Sequence, residues 1–285
     1  MTPLFTVVIP TYQRPALLNR AIESVLEQTV SDLECIVVDD GSPTPATTPT
    51  DDRVRLIRCT SNRGAAAARN VGLRAAVGRY VCFLDDDDTF LERRLDAALT
   101  GLEKAPVAIC WRAGDPNGSC RRMLNGDVYD SILDAITPHL GQVAIEHEVA
   151  PEFDETYAAA EDVEWWLRVA ALCRVATVSE IGLRYRHHAV PRHGNGLEQR
   201  IRCSIRLLED RRAYFVTHRR AAAFRWRRIG VMAVAAGDMR LARTAFHRSL
   251  RAGPSPKTLL HLARSVRPSR ARIRVPTERG TSGIC

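Results

Sequence analysis

Short runs of β-branched and apolar residues alternate with helical patterns over the first 104 residues of the chain. The predicted strands are Thr6–Ile9, Glu34–Val38, Val54–Arg58 and Tyr80–Leu84. A predicted helix that starts at Pro15 separates the first two strands, and a helix over Ala65–Val77 precedes the fourth. Strands that alternate with helices in this way form βαβ units and a parallel sheet. The sequence therefore predicts an α/β fold with a mostly parallel central sheet.

Polar residues directly follow three of these strands, as Thr11, the pair Asp39-Asp40 and the four aspartates Asp85–Asp88. Open α/β sheets bind their ligands beside the carboxyl ends of the strands. Four adjacent carboxylates repel one another unless they are hydrated, protonated or close to a cation. Hard divalent cations prefer carboxylate oxygen and also contact phosphates, so the cluster indicates Mg²⁺ or Mn²⁺ with a nucleotide diphosphate. A solvated turn whose aspartates precede a helix over Leu91–Leu102 is the alternative.

Patterns are weaker in the middle of the chain. They predict a strand over Val107–Trp111 and a helix over Val128–Ile136. A helical pattern returns at Glu161, and strands are expected near Arg174–Val178 and Gly182–His187. These elements extend the α/β domain to about residue 190.

Charge is divided along the 285-residue chain, whose net charge is +8. Residues 1–190 contain 19 Lys and Arg against 28 Asp and Glu, whereas residues 191–285 contain 22 against 5. We therefore predict a main domain over 1–190 and a basic C-terminal helical region over 191–285, with a flexible tail from about residue 267. The predicted C-terminal helices are Glu198–Val216, Ala221–Ala236, Met239–Leu250 and Lys257–Val266.

The basic helices suggest an anionic partner. We expect peripheral contact with an anionic membrane through seven arginines, which are Arg211, Arg212, Arg219, Arg220, Arg225, Arg227 and Arg228. A packing lid or a dimer surface is an equal alternative. We expect a cytosolic protein, because the chain has no basic n-region and no run of about 20 apolar residues. No nucleic-acid partner is expected, because no helix-turn-helix, zinc finger or aromatic-studded basic sheet is recognisable.

Four segments carry a specific order and spacing of motifs, which are Phe5–Arg14, Ile36–Ser42, Asn62–Asn70 and Phe83–Asp88. Together they resemble the family 2 glycosyltransferases, and the resemblance extends over about residues 4–190. It implies the GT-A fold of nucleotide-diphospho-sugar transferases. It also implies an inverting, metal-dependent transfer of a sugar from a nucleotide-diphospho-sugar to an acceptor hydroxyl, with UDP expected ahead of dTDP or GDP.

The resemblance assigns the donor site to named residues. Pro10 and Thr11 are expected to form the floor of the nucleoside site, and Asp40 is expected to accept a hydrogen bond from a ring N–H of the base. Arg69 is expected near the base and the diphosphate. A surface arginine on an alanine-rich helix is the alternative for Arg69.

Asp85 and Asp87 match the family's D-x-D motif. Asp85 is expected towards the ribose or the metal, and Asp87 is expected as the direct metal ligand. Asp86 is assigned to the nucleotide-sugar site. Asp86 and Asp88 are expected to support the metal ligands or to cap a helix. His188 closes a Tyr-Arg-x-His sequence and is expected near the diphosphate or the metal, with an ordinary loop or core histidine as the alternative.

The family places a Glu-Asp pair at the start of a helix after a Phe-Asp-Glu turn. Here Phe153–Glu155 precedes Glu161-Asp162, so Asp162 is the expected general base. An acidic helix start that is favoured by the helix dipole is the alternative. The acceptor is not identified, and a lipid-linked acceptor in the synthesis of envelope glycans or glycoconjugates is one expectation.

The alternative function is a catalytically silent protein that binds sugar nucleotides or glycans. The presence of Asp87 and Asp162 argues against it. A dinucleotide-dependent dehydrogenase is excluded, because Pro10-Thr11 stands where the Gly-x-Gly-x-x-Gly turn would follow the first strand.

Overall fold

The computed structural model describes residues 2–113, 123–186 and 196–266. Its strands within these ranges are β1 (Phe5–Thr11), β2 (Leu33–Asp39), β3 (Val54–Arg58), β4 (Tyr80–Phe83), β5 (Thr89–Phe90), β6 (Val107–Ala113), β7 (Val143–Glu146) and β8 (Val175–Arg184). Its helices there are α1 (Pro15–Leu26), α2 (Ala65–Ala75), α3 (Arg94–Leu102), α4 (Glu161–Leu172), α5 (Leu197–Asp210), α6 (Arg212–Thr217), α7 (Arg219–Ala235), α8 (Met239–Ala252) and α9 (Pro256–Val266).

The strands form one sheet in the order β3-β2-β1-β4-β7-β6-β8-β5. Strands β3, β2, β1 and β4 are parallel neighbours, and β6 is parallel to β8. Strand β7 runs antiparallel to both β4 and β6, and β5 runs antiparallel to β8. The predicted α/β fold with a mostly parallel sheet is confirmed. The sequence analysis does not predict β5 and β7, which are short and whose apolar patterns are weak.

Both faces of the sheet are buried, and side chains of β1 contribute to a separate core on each face. Phe5, Val7 and Ile9 belong to the core that includes residues of α1 and α3. Val8 points to the opposite face and joins the core that includes residues of α2 and α4. Because successive side chains of a strand point to opposite faces, a strand that is covered on both sides reads as a continuous apolar run.

The C-terminal helices pack against the same core as α4. Trp165 of α4 shares a cluster of buried residues with Ile201, Phe215 and Phe246. The phenol of Tyr157 donates a 2.6 Å hydrogen bond to Asp210 at the end of α5. The predicted domain boundary near residue 190 lies outside the described residues and stays a prediction.

Three of the seven arginines expected at a membrane surface form hydrogen bonds or ion pairs within the chain. Arg219 Nε donates to the carbonyl oxygen of Ala252 at 3.0 Å. Arg211 forms an ion pair with the buried carboxylate of Glu164. Arg225 is buried and donates to the carbonyl oxygen of Ala135 at 3.2 Å. Membrane contact through the remaining arginines stays a prediction. No helix within the described ranges is long and apolar enough to cross a bilayer.

Three element predictions are corrected by the structure. The expected helix over Val128–Ile136 is wrong, because that segment forms only a 3₁₀ turn over Ile132–Asp134. The side chain of Asp127 accepts a hydrogen bond from the backbone N–H of Tyr129, and such local bonds compete with helix formation. The two strands expected after α4 are one strand, β8, whose pairing with β6 shifts register near Trp111. The single helix expected after residue 197 is divided into α5 and α6 at Arg211.

Candidate active site

The carboxyl ends of β1, β2 and β4 bring the predicted donor-site residues together. The hydroxyl of Thr11 donates to Asp86 Oδ2 at 2.8 Å, and its carbonyl oxygen accepts from the backbone N–H of Asp40 at 3.0 Å. Pro10 pairs in register with Val38 of β2. Parallel strands that are neighbours in a sheet end at the same edge, which is why residues far apart in the chain meet here.

The carboxylate of Asp40 ties the loop after β2 to the start of α2. It accepts hydrogen bonds from the backbone N–H groups of Arg63 at 3.0 Å and Gly64 at 2.8 Å. Burial raises the pKa of Asp40, and these two hydrogen bonds oppose the rise. Gly41 has φ of +72°, and a Cβ there would lie 2.5 Å from the carbonyl carbon of Ser61, so glycine allows this close approach. Each carboxylate oxygen of Asp40 has further acceptor capacity for a ligand.

Asp86 and Asp87 share one arginine. Arg14 Nη1 lies 3.0 Å from Asp86 Oδ1 and 2.9 Å from Asp87 Oδ2. Burial raises the pKa of Asp86, although Arg14 and the Thr11 hydroxyl lower it. Asp87, the residue expected to bind the metal directly, is therefore ion-paired with Arg14 in this structure, and its role as a metal ligand stays a prediction.

Asp85, Asp88 and His139 form a cluster of possible metal ligands. One side-chain ligand atom of each lies within 4.8 Å of the others. His139 Nε2 is 3.4 Å from Asp85 Oδ2, and His139 Nδ1 is 3.7 Å from Asp88 Oδ2. Asp88 Oδ2 is buried and has no hydrogen-bond partner among the described residues. Burial raises the pKa of Asp88 to about 7, with His139 lowering it and Asp85 adding to the rise.

His139 is a site residue that the sequence analysis does not predict. It precedes a 3₁₀ turn over Leu140–Gln142 and forms a capping box with it. Its backbone N–H donates to Gln142 Oε1 at 2.9 Å, and the Gln142 amide donates to the Cys110 carbonyl at 2.7 Å. The His-x-x-Gln spacing before the apolar run of β7 is the local signal that could have identified a cap there.

The donor set fits a divalent cation. Two carboxylates and one imidazole are suitable ligands for Mn²⁺, and the carboxylates alone also suit Mg²⁺. A buried carboxylate oxygen without a partner, such as Asp88 Oδ2, is costly unless a cation or a proton neutralises it. Asp85, Asp88 and His139 are thus the described residues best arranged to hold a metal ion. The role expected for His188 stays a prediction, because this residue lies outside the described ranges.

Arg69 connects the acidic cluster to the start of α4. Its guanidinium donates to Asp85 at 2.7 Å and to Glu161 at 3.1 Å, and it lies 5.5 Å from the centre of the Phe153 ring. Arg69 is buried, so it is not the surface residue of the alternative interpretation. Burial raises the pKa of Glu161, with Arg69 opposing and Asp162 adding to the rise.

Asp162 lies in the first turn of α4, and Oδ1 accepts from the backbone N–H of Val163 at 2.9 Å. Ala160, which precedes the helix, has φ of +64°, a left-handed conformation that is unusual for alanine. The Arg69–Glu161 pair and this turn set the direction in which α4 starts. Arg69 thus links the start of α4 to Asp85, and the role of Asp162 as general base stays a prediction.

Sequence comparison finds glycosyltransferases among the relatives of this chain. Residues 6–143 match the family described as Glycosyl transferase family 2. An uncharacterized glycosyltransferase of Haemophilus influenzae is 38% identical over 103 residues, which cover 34% of this chain and 41% of that protein. The succinoglycan biosynthesis protein ExoO of Rhizobium meliloti is 45% identical over 111 residues, which cover 38% of this chain and 32% of that protein. The matches span less than half the length of either relative.

Solved structures share the fold. S. aureus TarS 1–349 in complex with UDP has a TM-score of 0.62 at 18% identity, covering 88% of this chain and 81% of that chain. The mannosyltransferase PcManGT from Pyrobaculum calidifontis, in complex with GDP-Man and Mn²⁺, has a TM-score of 0.57 at 20% identity. The match covers 93% of this chain and 79% of that chain. The chain therefore has the GT-A fold of nucleotide-diphospho-sugar transferases. It carries a glycosyltransferase family 2 domain, so the resemblance noted from the motifs is confirmed.

Proposed function

We propose that the protein is an inverting, divalent-cation-dependent glycosyltransferase that transfers a sugar from a UDP-sugar to an acceptor hydroxyl. The observation that carries the proposal is the cluster of Asp85, Asp88 and His139 beside Thr11 and Asp40. The fold likeness to TarS in complex with UDP-GlcNAc and to PcManGT in complex with GDP-Man and Mn²⁺ supports it. The similarity to ExoO, a succinoglycan biosynthesis protein, supports a role in glycan synthesis, and we extend the proposal to cell-envelope glycans or glycoconjugates.

Donor binding follows from the positions of the side chains. Pro10 and Thr11 would contact the nucleoside, and Asp40 would accept a hydrogen bond from the N–H of a uracil ring. Asp85, Asp88 and His139 would hold the cation, with Mn²⁺ preferred to Mg²⁺ because an imidazole takes part. The bound cation would supply positive charge that neutralises the departing diphosphate.

Asp162 would act as the general base. It would take the proton of the acceptor hydroxyl as that oxygen attacks the anomeric carbon. The bond between this carbon and the diphosphate oxygen would break, and its electron pair would leave with the nucleoside diphosphate. A single displacement of this kind inverts the anomeric configuration. Arg69 and Glu161 would keep Asp162 in position at the start of α4.

Titration calorimetry tests the donor site. UDP, dTDP, GDP and ADP are each titrated with Mn²⁺ and with EDTA, into the wild type and into His139→Gln. We expect UDP to bind only with Mn²⁺, and the affinity to fall at least about tenfold in the variant, because one metal ligand is lost. Glu103→Gln changes an exposed side chain and serves as the control. UDP affinity that is equal in EDTA would refute a cation-dependent donor site.

Hydrolysis of UDP-sugars in the presence of Mn²⁺ tests the base. Asp162→Asn should retain Mn²⁺–UDP affinity, while turnover falls by about 10²- to 10⁴-fold, because general base catalysis is lost. A wild type that binds a UDP-sugar but turns none over, with or without acceptors, would support the silent binding protein instead.

A further inference from the structure

The C-terminal helices reach the side of the candidate site on which Asp162 lies. Helix α7 packs against the 3₁₀ turn Ile132–Asp134, and α4 packs against the same turn. Asp162 is in the first turn of α4, so α7 and the helix that carries the expected base pack against one short connection.

Arg225 of α7 is a buried cation that forms no ion pair with another described residue. Its exposed fraction is only 8%. Its Nη2 donates to the Ala135 carbonyl oxygen at 3.2 Å, but its Nε has no hydrogen-bond partner among the described residues. No carboxylate oxygen of the described ranges lies within 4.0 Å of it. A buried guanidinium in this state is costly, so an anion is the partner that the site lacks.

Further positive charge surrounds Arg225. Burial and the charge of Arg228 lower the pKa of Arg225 to about 10, although Asp162 opposes this shift. Burial and the charges of Arg200 and Arg227 likewise lower the pKa of Arg228, and the charge of Asp162 opposes this shift. The guanidinium carbons of Arg225, Arg227 and Arg228 lie 5.4, 5.3 and 5.9 Å from the centre of the Phe224 ring, so these three cations surround one side chain. Asp162 interacts electrostatically with Arg225 and Arg228, and Arg200 with Arg228, so both groups lie near this cluster. One carboxylate does not balance four cations, so the excess positive charge there favours an anionic ligand.

We propose that Arg200, Arg225, Arg227 and Arg228 bind a phosphate group of the acceptor and thereby direct its hydroxyl towards Asp162. The inference rests on the proposed function for the meaning of Asp162, although phosphate binding can be measured without it. Phosphate is favoured over a single carboxylate, because it offers more charge and more oxygen atoms to several guanidinium groups. The burial of Arg225 excludes it from a flat membrane surface, so this role differs from peripheral membrane contact.

A purely structural role for Arg225 is the competing explanation. Its bond to Ala135 holds the segment that leads to His139, so removal of the side chain could displace a metal ligand. That role would lower Mn²⁺–UDP affinity and leave phosphate binding intact. If Arg225 binds phosphate, its removal would lower phosphate affinity and leave Mn²⁺–UDP affinity intact. Measuring both affinities therefore distinguishes the two roles.

The test uses the full chain and glycerol 3-phosphate as the probe, in EDTA so that no cation can bind the phosphate at the donor site. We expect glycerol 3-phosphate to bind and glycerol not to bind. Arg225→Met and Arg228→Gln should each weaken binding about tenfold, which is the loss of one hydrogen bond to a charged group. Arg240→Gln removes an exposed arginine from α8 and should change binding less than about twofold.

A prenyl phosphate in detergent micelles is the second probe. Binding of both probes, or of either one alone, supports the proposal and identifies a lipid-linked or a soluble phosphate source. Absence of binding for both probes would overturn the proposal. It would also be overturned if Arg240→Gln weakened phosphate binding as much as the other variants do, or if Arg225→Met lost only Mn²⁺–UDP affinity. Wild type that binds UDP with Mn²⁺ but neither phosphate probe would overturn this inference alone. Wild type that binds a phosphate probe but does not bind UDP with Mn²⁺ would overturn the proposed donor site alone.

Discussion

Asp87 and Asp88 are adjacent in the chain, but their carboxylates have different surroundings. Asp87 Oδ2 is 2.9 Å from Arg14, whereas Asp88 Oδ2 is buried without a hydrogen-bond partner among the described residues. Asp88 accepts one hydrogen bond from the backbone N–H of Arg186 at its other oxygen. The first aspartate is therefore neutralised within the protein, and the second is available to a cation.

Substitution of these two aspartates should have opposite effects on the metal-free protein. At pH 8, above the pKa of about 7, Asp88→Asn removes a buried charge and should raise the free energy of unfolding by about 1 kcal/mol. Asp87→Asn removes one of the two carboxylates paired with Arg14 and should lower the free energy of unfolding by about 1 kcal/mol. Urea unfolding in EDTA measures both. Asp88→Asn should also lose Mn²⁺-dependent UDP binding, and retention of that binding would show that Asp88 is not a ligand.

Helix α2 lies unusually close to β1, and this contact sets the position of Arg69. A Cβ on Gly72 would overlap Val8 Cγ1 in the buried core. Glycine thus lets the helix approach the strand closely, and Arg69, three residues earlier, reaches Asp85 as a result.

Gly72→Ala should therefore lower the free energy of unfolding by about 1–3 kcal/mol, because overpacking forces α2 away from β1. Val8→Ala removes the overlapping methyl groups, so the double variant should be more stable than the sum of the single changes predicts. Urea unfolding of the four proteins measures the coupling. Additive changes would show that the two residues do not compete for space.

An ion pair joins the start of α7 to the segment after residue 126 and gives stability a pH dependence. His218 Nε2 is 2.8 Å from Asp130 Oδ1, and Nδ1 is 2.8 Å from the Tyr214 carbonyl oxygen. Burial lowers the pKa of His218, but the bonds to Asp130 and Tyr214 outweigh burial and raise it. The stabilisation is thus complete below the ordinary histidine pKa of about 6.5 and is lost as the pH rises through the folded-state value.

Asp130→Asn should lower the free energy of unfolding by about 0.5 kcal/mol at pH 5.5 and by less at pH 8.5, because Asp130 is largely exposed. Urea unfolding at the two pH values measures the difference. The same comparison in a His218→Gln background is the control. A pH-dependent effect that persists there would assign it to another group.

At the scale of the whole molecule, the C-terminal helices and the sheet domain share one core. Tyr214 donates to the Tyr129 carbonyl oxygen at 2.9 Å, and Arg211 neutralises the buried Glu164. A chain of residues 1–190 would therefore expose apolar surface and leave a buried carboxylate with fewer partners.

We expect the 1–190 fragment to unfold at least about 4 °C below the full chain, or to aggregate, because more than 1 kcal/mol of packing is lost. Thermal unfolding by circular dichroism and size-exclusion chromatography measure this. A monomeric fragment with an unchanged melting temperature would show that residues 1–190 form an independent domain, as the charge division predicts.

Some of the site was predictable because it depends on local patterns at strand ends. Thr11, Asp40 and Asp85 each follow an apolar run, and parallel strands bring such positions to one edge. His139 was not predictable in this way. It lies before an antiparallel strand in a weakly patterned segment, and only the insertion of β7 between β4 and β6 brings it to Asp85.

The sequence by itself determined the α/β fold, the parallel strands and the acidic edge, because hydrophobic periodicity and strand-end residues are local properties. Tertiary structure alone decided which aspartate is neutralised by Arg14 and which faces His139, since adjacent carboxylates differ only in their three-dimensional neighbours. It also decided that Arg225 is buried near Asp162 instead of exposed on a basic helix face. Charge counts along a chain contain no information on burial, and burial controls the electrostatics of these residues.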